Sequence, residues 1–471
     1  MSVCVRYIEP QNNIFILRED FLTFVPVENT KGAYLAERIL STLKNVGIDC
    51  EYLIGQGYDG AAAMKGCFNG VQAVIRKSHP EALYVHCCSH SLNLALCHSC
   101  QIQSARNTIG IIKSVGNFLK SSAKRTSYLK ENIRQKFPET KYKNLTAMCD
   151  TRWVDNHDGL IRFEEIFEAI VDALEELSCD MDSDTSSSAT SFLRSITASD
   201  FVVSLCCMAM LFYYTLALCK LLQSPTCDLA AALQHIGIIT KTFEKIQANV
   251  DLKFAVIFKT AQDLLHTVNE EVRIPRIANR QQYRANQNTN DPESYFRLIV
   301  VIPLLDDFIN HLHLKFADHK STLLSLYILI PSLCCKNDSN FQINAFKVYR
   351  KFLEWESLEV ELHLWKMKWQ QESEINHPTC AIEALGECNE NLFLSIHKLL
   401  KILATLPVTT CTPERTFSTL KRLKIYLRNS TGQERLTGLA LMSMHRKIDI
   451  NTEAEIDLCA AKKARRLNIL L

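Results

Sequence analysis

Turn-forming residues are scarce, since the 471 residues hold only 14 glycines and 12 prolines, about half of what roughly 12% average usage would supply. A sandwich or barrel rich in tight turns is thereby disfavoured, and helix is expected to dominate. An excess of one charge sign is lacking too, because 53 Lys and Arg face 51 Asp and Glu. That excludes a strongly basic nucleic-acid-binding domain and leaves room only for a local basic groove. The opening MSVCVRYIEP lacks the apolar run of a secretory signal. The 19 cysteines are therefore read as reduced thiols of a cytosolic or nuclear protein. With 47% apolar and 22% charged residues, the chain reads as folded, with about two to four domains at roughly 100–200 residues each.

Long uncharged runs are rare as well. The exception is residues 201–219, FVVSLCCMAMLFYYTLALC, at the lower edge of what spans a bilayer. Ser204, Thr215 and two adjacent tyrosines interrupt it, and no second span accompanies it. A buried core helix, with no membrane, is the expectation.

What is present begins as β-structure. Residues 3–8 and 14–24 roughly alternate apolar and polar side chains around Pro10-Gln-Asn-Asn, predicting two antiparallel strands. Asn29 and Thr30 cap a predicted helix over 31–46, where Leu35, Ile39 and Leu43 recur every four residues. A short strand is expected over 51–54. It runs into GQGYDGAAAMKG, where Gly55, Gly57 and Gly60 predict a sharp turn. A helix ending near Lys77 and a strand over 83–86 complete an α/β core with a mixed sheet. From about 102 to 406 the pattern is helical, with loops expected at 180–188 and around 279–290. Beyond Thr412, Phe417, Leu420 and Leu423, then Leu436, Leu439 and Met442, recur at three-residue spacing as amphipathic helices.

Four constellations could carry chemistry. Asp59 follows a strand in a glycine-rich segment, where it reads as a turn residue or as a ligand at the strand's carboxyl end. Cys87 with His90, and Cys97 with Cys100, have the spacing of paired zinc ligands; buried helix thiols are the expectation. Arg152 beside Trp153 suits stacking and phosphate contact on an unpaired nucleotide, or simple packing. In PERTFS, Thr412 reads as N-cap and Pro413 as the first helical residue, placing Glu414 in a first turn that favours a carboxylate.

In this order and spacing, GQGYDGAA, the C-x-x-H of HCCSHSLNL, TRW and PERTFS resemble the hAT transposase superfamily. IPRIANRQQYRAN and IPLLDDFINHL resemble its vertebrate, domesticated-looking branch, which includes zinc finger MYM-type 1-like proteins and a THAP-related repressor. The resemblance implies an RNase H-like mixed-sheet core (1–135), an all-helical insertion (136–405) and a core return with hAT dimerisation helices (406–471). By similarity Asp59 and Glu414 match two catalytic carboxylates, which in active relatives hold Mg²⁺. Cys87 and His90 match the C-x-x-H pair, and Arg152 and Trp153 the pair acting on cleaved DNA ends.

One departure governs the functional expectation. The family's first Asp stands on a strand before the one matched here by residues 2–7, and these residues are expected to begin after it and after the zinc-binding domain of full-length relatives. Two divalent ions need three carboxylates; Glu19 and Asp20 lie too far along the hairpin to substitute. The expected function is therefore a non-catalytic, transposase-derived nuclear protein that self-associates through Leu436, Leu439 and Met442, keeps residual DNA contact, and requires no cofactor or small-molecule substrate. An N-terminally truncated DNA transposase is the second reading. Lys462, Lys463, Arg465 and Arg466 form a basic cluster that reads as a nuclear-import signal or as a solvated helix face.

Overall fold

The computed structural model describes residues 1–12, 14–146, 153–275, 289, 291–335, 343–424 and 431–462. Strands β1 (Ser2–Gln11) and β2 (Ile14–Phe24) pair antiparallel, with Ser2 opposite Phe24 and Gln11 opposite Ile14. The hairpin outlasts the alternation over 3–8 because Pro10 sits near the strand end, where its missing N–H is tolerated. Asn12 enters the reversal at φ 49°, in the left-handed region that asparagine adopts more readily than most residues. Helix α1 (Gly32–Asn45) then buries Leu35, Ile39 and Leu43, the three residues whose spacing predicted it.

The strand expected over 51–54 is not there. Cys50–Tyr52 form a single 3₁₀ turn capped by Asp49, and the strand, β3, is Gly55–Tyr58, parallel to β4 (Leu83–His86). Two of the three glycines predicted to make a turn, Gly55 and Gly57, lie inside it, and Gly60 follows in a bend. Their reason is crowding, since a Cβ on Gly57 would stand 2.6 Å from the Pro407 side chain and one on Gly55 3.0 Å from it. Glycine thus lets the C-terminal segment cross β3 at contact distance. In place of one mixed sheet, the described residues form two separate pairs, β1 with β2 and β3 with β4.

Beyond β4 the chain is helical. Helices α2 (Val71–Ser78) and α3 (Cys88–Ser99) flank the strand, and the long apolar segment becomes α4 (Ser199–Leu222). Every residue from 201 to 212 is buried, so α4 is a core helix that is apolar all round because it meets protein all round. The loop expected at 180–188 is largely the helix Ser183–Ile196, started by the Asp182 carboxylate accepting from the Thr185 N–H at 3.2 Å. The Asp/Ser cluster is an N-cap followed by a polar helix face. The expected loop at 279–290 lies outside the described residues apart from Thr289.

Helix α5 (Ile302–Tyr327) packs along α3. One apolar cluster then runs from Val85 through α4 to Leu403 and Val408. Buried charges fasten this body to the strands. Arg6 on β1 pairs with Glu19 on β2 at 3.2 Å and donates to the carbonyls of Pro225 (3.0 Å), Cys227 (2.6 Å) and Ala404 (3.4 Å). Asp228 caps the helix Leu229–Ala248 at the Ala231 N–H and reaches the Ala381 N–H at 2.6 Å.

A pH dependence follows from Glu164, which is hydrogen-bonded to Cys206 of α4. Burial pushes its carboxyl up to about 7, against the pull of that hydrogen bond and helped by the charge on Glu165. A carboxyl with a raised folded-state pKa favours folding fully below its unfolded value near 4.5, and that contribution fades as pH rises to about 7. Glu164→Gln is expected to match the wild type at pH 4 and to be more stable at pH 8, by at most about 3 kcal/mol. Urea midpoints at the two pH values check this; equal differences at both would refute it.

Candidate functional site

The C-terminal part folds back onto β3 and β4. Helix α6 (Leu358–Gln371) and helix α7 (Leu394–Thr405) belong to the helical body, and α8 (Cys411–Leu423) follows 406–410, the segment that crosses β3. Thr410, not Thr412, is the residue before the helix, so Pro413 falls inside the first turn. Its missing N–H costs nothing there, because first-turn amides have no intrahelical acceptor.

What places that helix is Cys87. Its buried Sγ accepts from the His90 N–H at 3.3 Å, capping α3, and from the Thr410 N–H at 3.2 Å and hydroxyl at 3.3 Å. The Cys88 N–H donates to the Val408 carbonyl at 2.8 Å. One sulfur thus joins the starts of two helices that lie 323 residues apart in sequence. This is a structural use of the C-x-x-H motif, since the sulfur accepts from two backbone N–H groups and donates to the Thr409 hydroxyl at 3.7 Å, and the histidine contributes its backbone. The His90 ring stands edge-on to His86 with centroids 5.7 Å apart, close over Gly60. Cys97 is half-buried and Cys100 buried at the end of α3. Burial pushes the Cys100 thiol well above its ordinary range.

Asp59 and Glu414 both face the space beside this junction. Both line one cavity of about 750 Å³, with Asp59 just past the carboxyl end of β3 and Glu414 in the first turn of α8. Both are exposed. Asp59 Oδ1 accepts from the Ala61 N–H at 3.2 Å, and Glu414 Oε1 accepts from the Thr410 hydroxyl at 3.0 Å. Among the described residues no group of three or more His, Cys, Asp or Glu is arranged to hold a metal ion. Two carboxylates, each with an oxygen already engaged, do not fit the pair of closely spaced dications that phosphodiester chemistry in such a site needs.

The other expected site residues are spread apart. Arg152 lies outside the described residues, and Trp153 opens the helix Trp153–Glu165. In helix α9 (Gln433–Met444), Leu436 is buried, Leu439 half-buried and Met442 64% exposed. The three-residue spacing therefore does not make one available face. Ala440, Leu441 and Met444 pack with Phe21 and Phe24 of β2, and the His445 ring bonds the Phe21 carbonyl at 2.9 Å. Helix α10 (Thr452–Lys462) follows, exposed along almost its whole length. The basic cluster lies outside the described residues from Lys463 onward.

Sequence reasoning did not find Arg6, Thr410 or Asp228. A lone arginine in a strand and a threonine before PERTFS carry no local signal for their distant partners, Pro225, Cys227 and Ala404 for Arg6 and Cys87 for Thr410.

Comparison with known proteins agrees with the motifs. Residues 1–70 match the ZMYM1/FAM200, RNase-like domain, and residues 355–448 match the hAT family C-terminal dimerisation region. The chain is 26% identical, over 97% of its length, to the 52 kDa repressor of the inhibitor of the protein kinase from Mus musculus. The protein of that name from Homo sapiens is 25% identical over the same share. In each case the match covers 61% of the relative, so the chain spans about three fifths of the curated relatives' length. The similarity to the 52 kDa repressor thus extends along nearly the whole sequence, and that to the hAT family is carried by residues 355–448.

Proposed function

We propose that this chain is a transposase-derived association module: it assembles with further copies of itself through its C-terminal region and cleaves no DNA. The match of residues 355–448 to the hAT dimerisation region carries the reading. It is supported by the apolar surface left on the last elements, where Met442, Ile448, Ile450 and Leu458 are each more than half exposed. Single exposed apolar residues are ordinary, but a run of them on consecutive elements marks an interaction surface. Sedimentation velocity across the micromolar range tests the reading, which fails if the chain stays monomeric throughout.

The RNase H-like core remains part of the proposal. Its support is the match of residues 1–70 and the arrangement of β3 and β4 with Asp59 at the strand end. A nuclear setting rests on the relatives' description as repressors and on the Lys462 to Arg466 cluster. Imaging a reporter fusion with the four basic residues changed to alanine tests it; unchanged nuclear retention would remove the cluster from the account.

A second reading, a transposase fragment whose longer form is active, is favoured by one observation: Asp59 and Glu414 line the same cavity. For these 471 residues the expected outcome is no Mg²⁺- or Mn²⁺-dependent strand cleavage above background. Cleavage that vanishes in Glu414→Gln would overturn the non-catalytic reading.

A further inference from the structure

Helix α6 (Leu358–Gln371) carries two apolar seams. Leu358, Leu362, Trp365 and Trp369 recur at spacings of four, three and four residues, and all are buried. Val360, Leu364 and Met367 repeat that spacing two residues later, continued by Gln371. At about 100° per residue, the offset turns this second seam to the opposite side of the helix. There Val360 is 60%, Leu364 51% and Met367 40% exposed. Positions 360, 363, 364, 367 and 371, which make up that side, include no acid, lysine or arginine.

The inner seam makes the outer one a fixed platform. Trp365 donates its indole N–H to the Leu329 carbonyl at 2.9 Å. The buried Glu361 carboxylate accepts from the Ser395 and Ile396 N–H groups at 2.8 and 3.2 Å, at the start of α7. A helix with protein on one side and water on the other needs a single apolar stripe. A second stripe at four-three spacing is the seam by which two helices pack side by side. Charge along α6 then selects the direction of packing. Glu356 and Glu359 stand around its start, and Lys366 and Lys368 towards its end. Antiparallel packing sets acid against base, whereas parallel packing sets like against like.

We propose that the outer face of α6 pairs antiparallel with the same face of a second copy, about a two-fold axis close to Leu364. Leu364 then meets Leu364 of the second copy, and Val360 meets Met367 on either side, as a self-complementary contact requires. The proposal rests on the self-association reading, since α6 lies within residues 355–448, which match the dimerisation region. Three side-chain layers cover less than the roughly 800 Å² per partner of a standard interface. The pair therefore acts jointly with the apolar surface of the last elements, and loss of either patch is enough to separate the copies.

The test uses the full chain and two variants, Leu364→Glu and Leu364→Lys, followed by sedimentation velocity alone and mixed in equal amounts. The side chain they replace already meets water, so circular dichroism should be unchanged. Each variant alone should associate at least about ten-fold more weakly than the wild type, because like charges meet at the axis. The mixture should regain at least about ten-fold, because glutamate then meets lysine. Such recovery is specific to a contact of position 364 with itself, and a merely structural role would not produce it. If the wild type assembles and both variants assemble as tightly, the α6 pairing is overturned while self-association stands. If both weaken and the mixture is no tighter, the two-fold contact is overturned. A wild type that stays monomeric removes the self-association reading and this proposal with it. Should either variant fail to fold, Met367→Glu mixed with Val360→Lys makes the same test, since those two positions face each other.

Discussion

Met442→Glu is expected to turn the assembled chain into a folded monomer, raising the dissociation constant at least about 100-fold, or ~2.7 kcal/mol. In the single chain this methionine is 64% exposed, so glutamate there meets water and disturbs no core. In an assembly built on this surface, the same carboxylate loses its hydration without gaining a partner. Leu436 is the contrasting position. At 4% exposure it holds α9 to its own chain, and Leu436→Glu should undock the helix and lower stability by about 3 kcal/mol or more. Sedimentation equilibrium with circular dichroism on both variants separates the two effects. A Met442→Glu chain that assembles as tightly as the wild type would remove this surface from the interface.

The second large effect concerns Arg6. Arg6→Met leaves Glu19 buried with no countercharge and frees the carbonyls of Pro225, Cys227 and Ala404, at an expected cost of ~3–5 kcal/mol. Because burial already disfavours the charge on Arg6 and Glu19 is what opposes that, the double variant Arg6→Met, Glu19→Met should recover most of the loss. Apolar pairs of similar volume often replace buried ion pairs without penalty. Urea unfolding of the two singles and the double completes the cycle. If the double variant loses as much as the sum of the singles, the pair is not the source of the stability.

Legibility of this molecule in its sequence depended on the range of the forces involved. The hairpin and α1 were readable because alternation and four-residue spacing are local and directly reflect which faces are buried. Helix α4 was readable as core from its interrupting polar residues. Thr215 indeed meets the His157 ring at 2.9 Å within the protein. The failures share the opposite origin. Gly55 and Gly57 looked like a turn, yet their purpose is the passage of Pro407, some 350 residues on. The Asp/Ser cluster at 180–188 looked like a loop because N-caps and loops favour the same residues. Cys87 and His90 were legible as a pair but not as a joint between α3 and α8, since nothing near Cys87 announces Thr410. Likewise the pairing of Asp59 with Glu414, which line one cavity, came from family resemblance and not from any local pattern.

The joint at Cys87 also fixes when the fold can be completed. Its partner Thr410 lies 323 residues downstream, and at ~5–20 residues per second a ribosome needs tens of seconds to make that stretch. Throughout that interval β3 has no crossing segment, α8 does not exist, and the Arg6 bonds to Pro225, Cys227 and Ala404 form only as each carbonyl emerges. The strands of residues 2–58 are thus translated well before the segments that secure them. They wait with open edges for the end of their own chain, which makes nascent-chain aggregation and chaperone contact at residues 1–58 the characteristic hazard of this architecture.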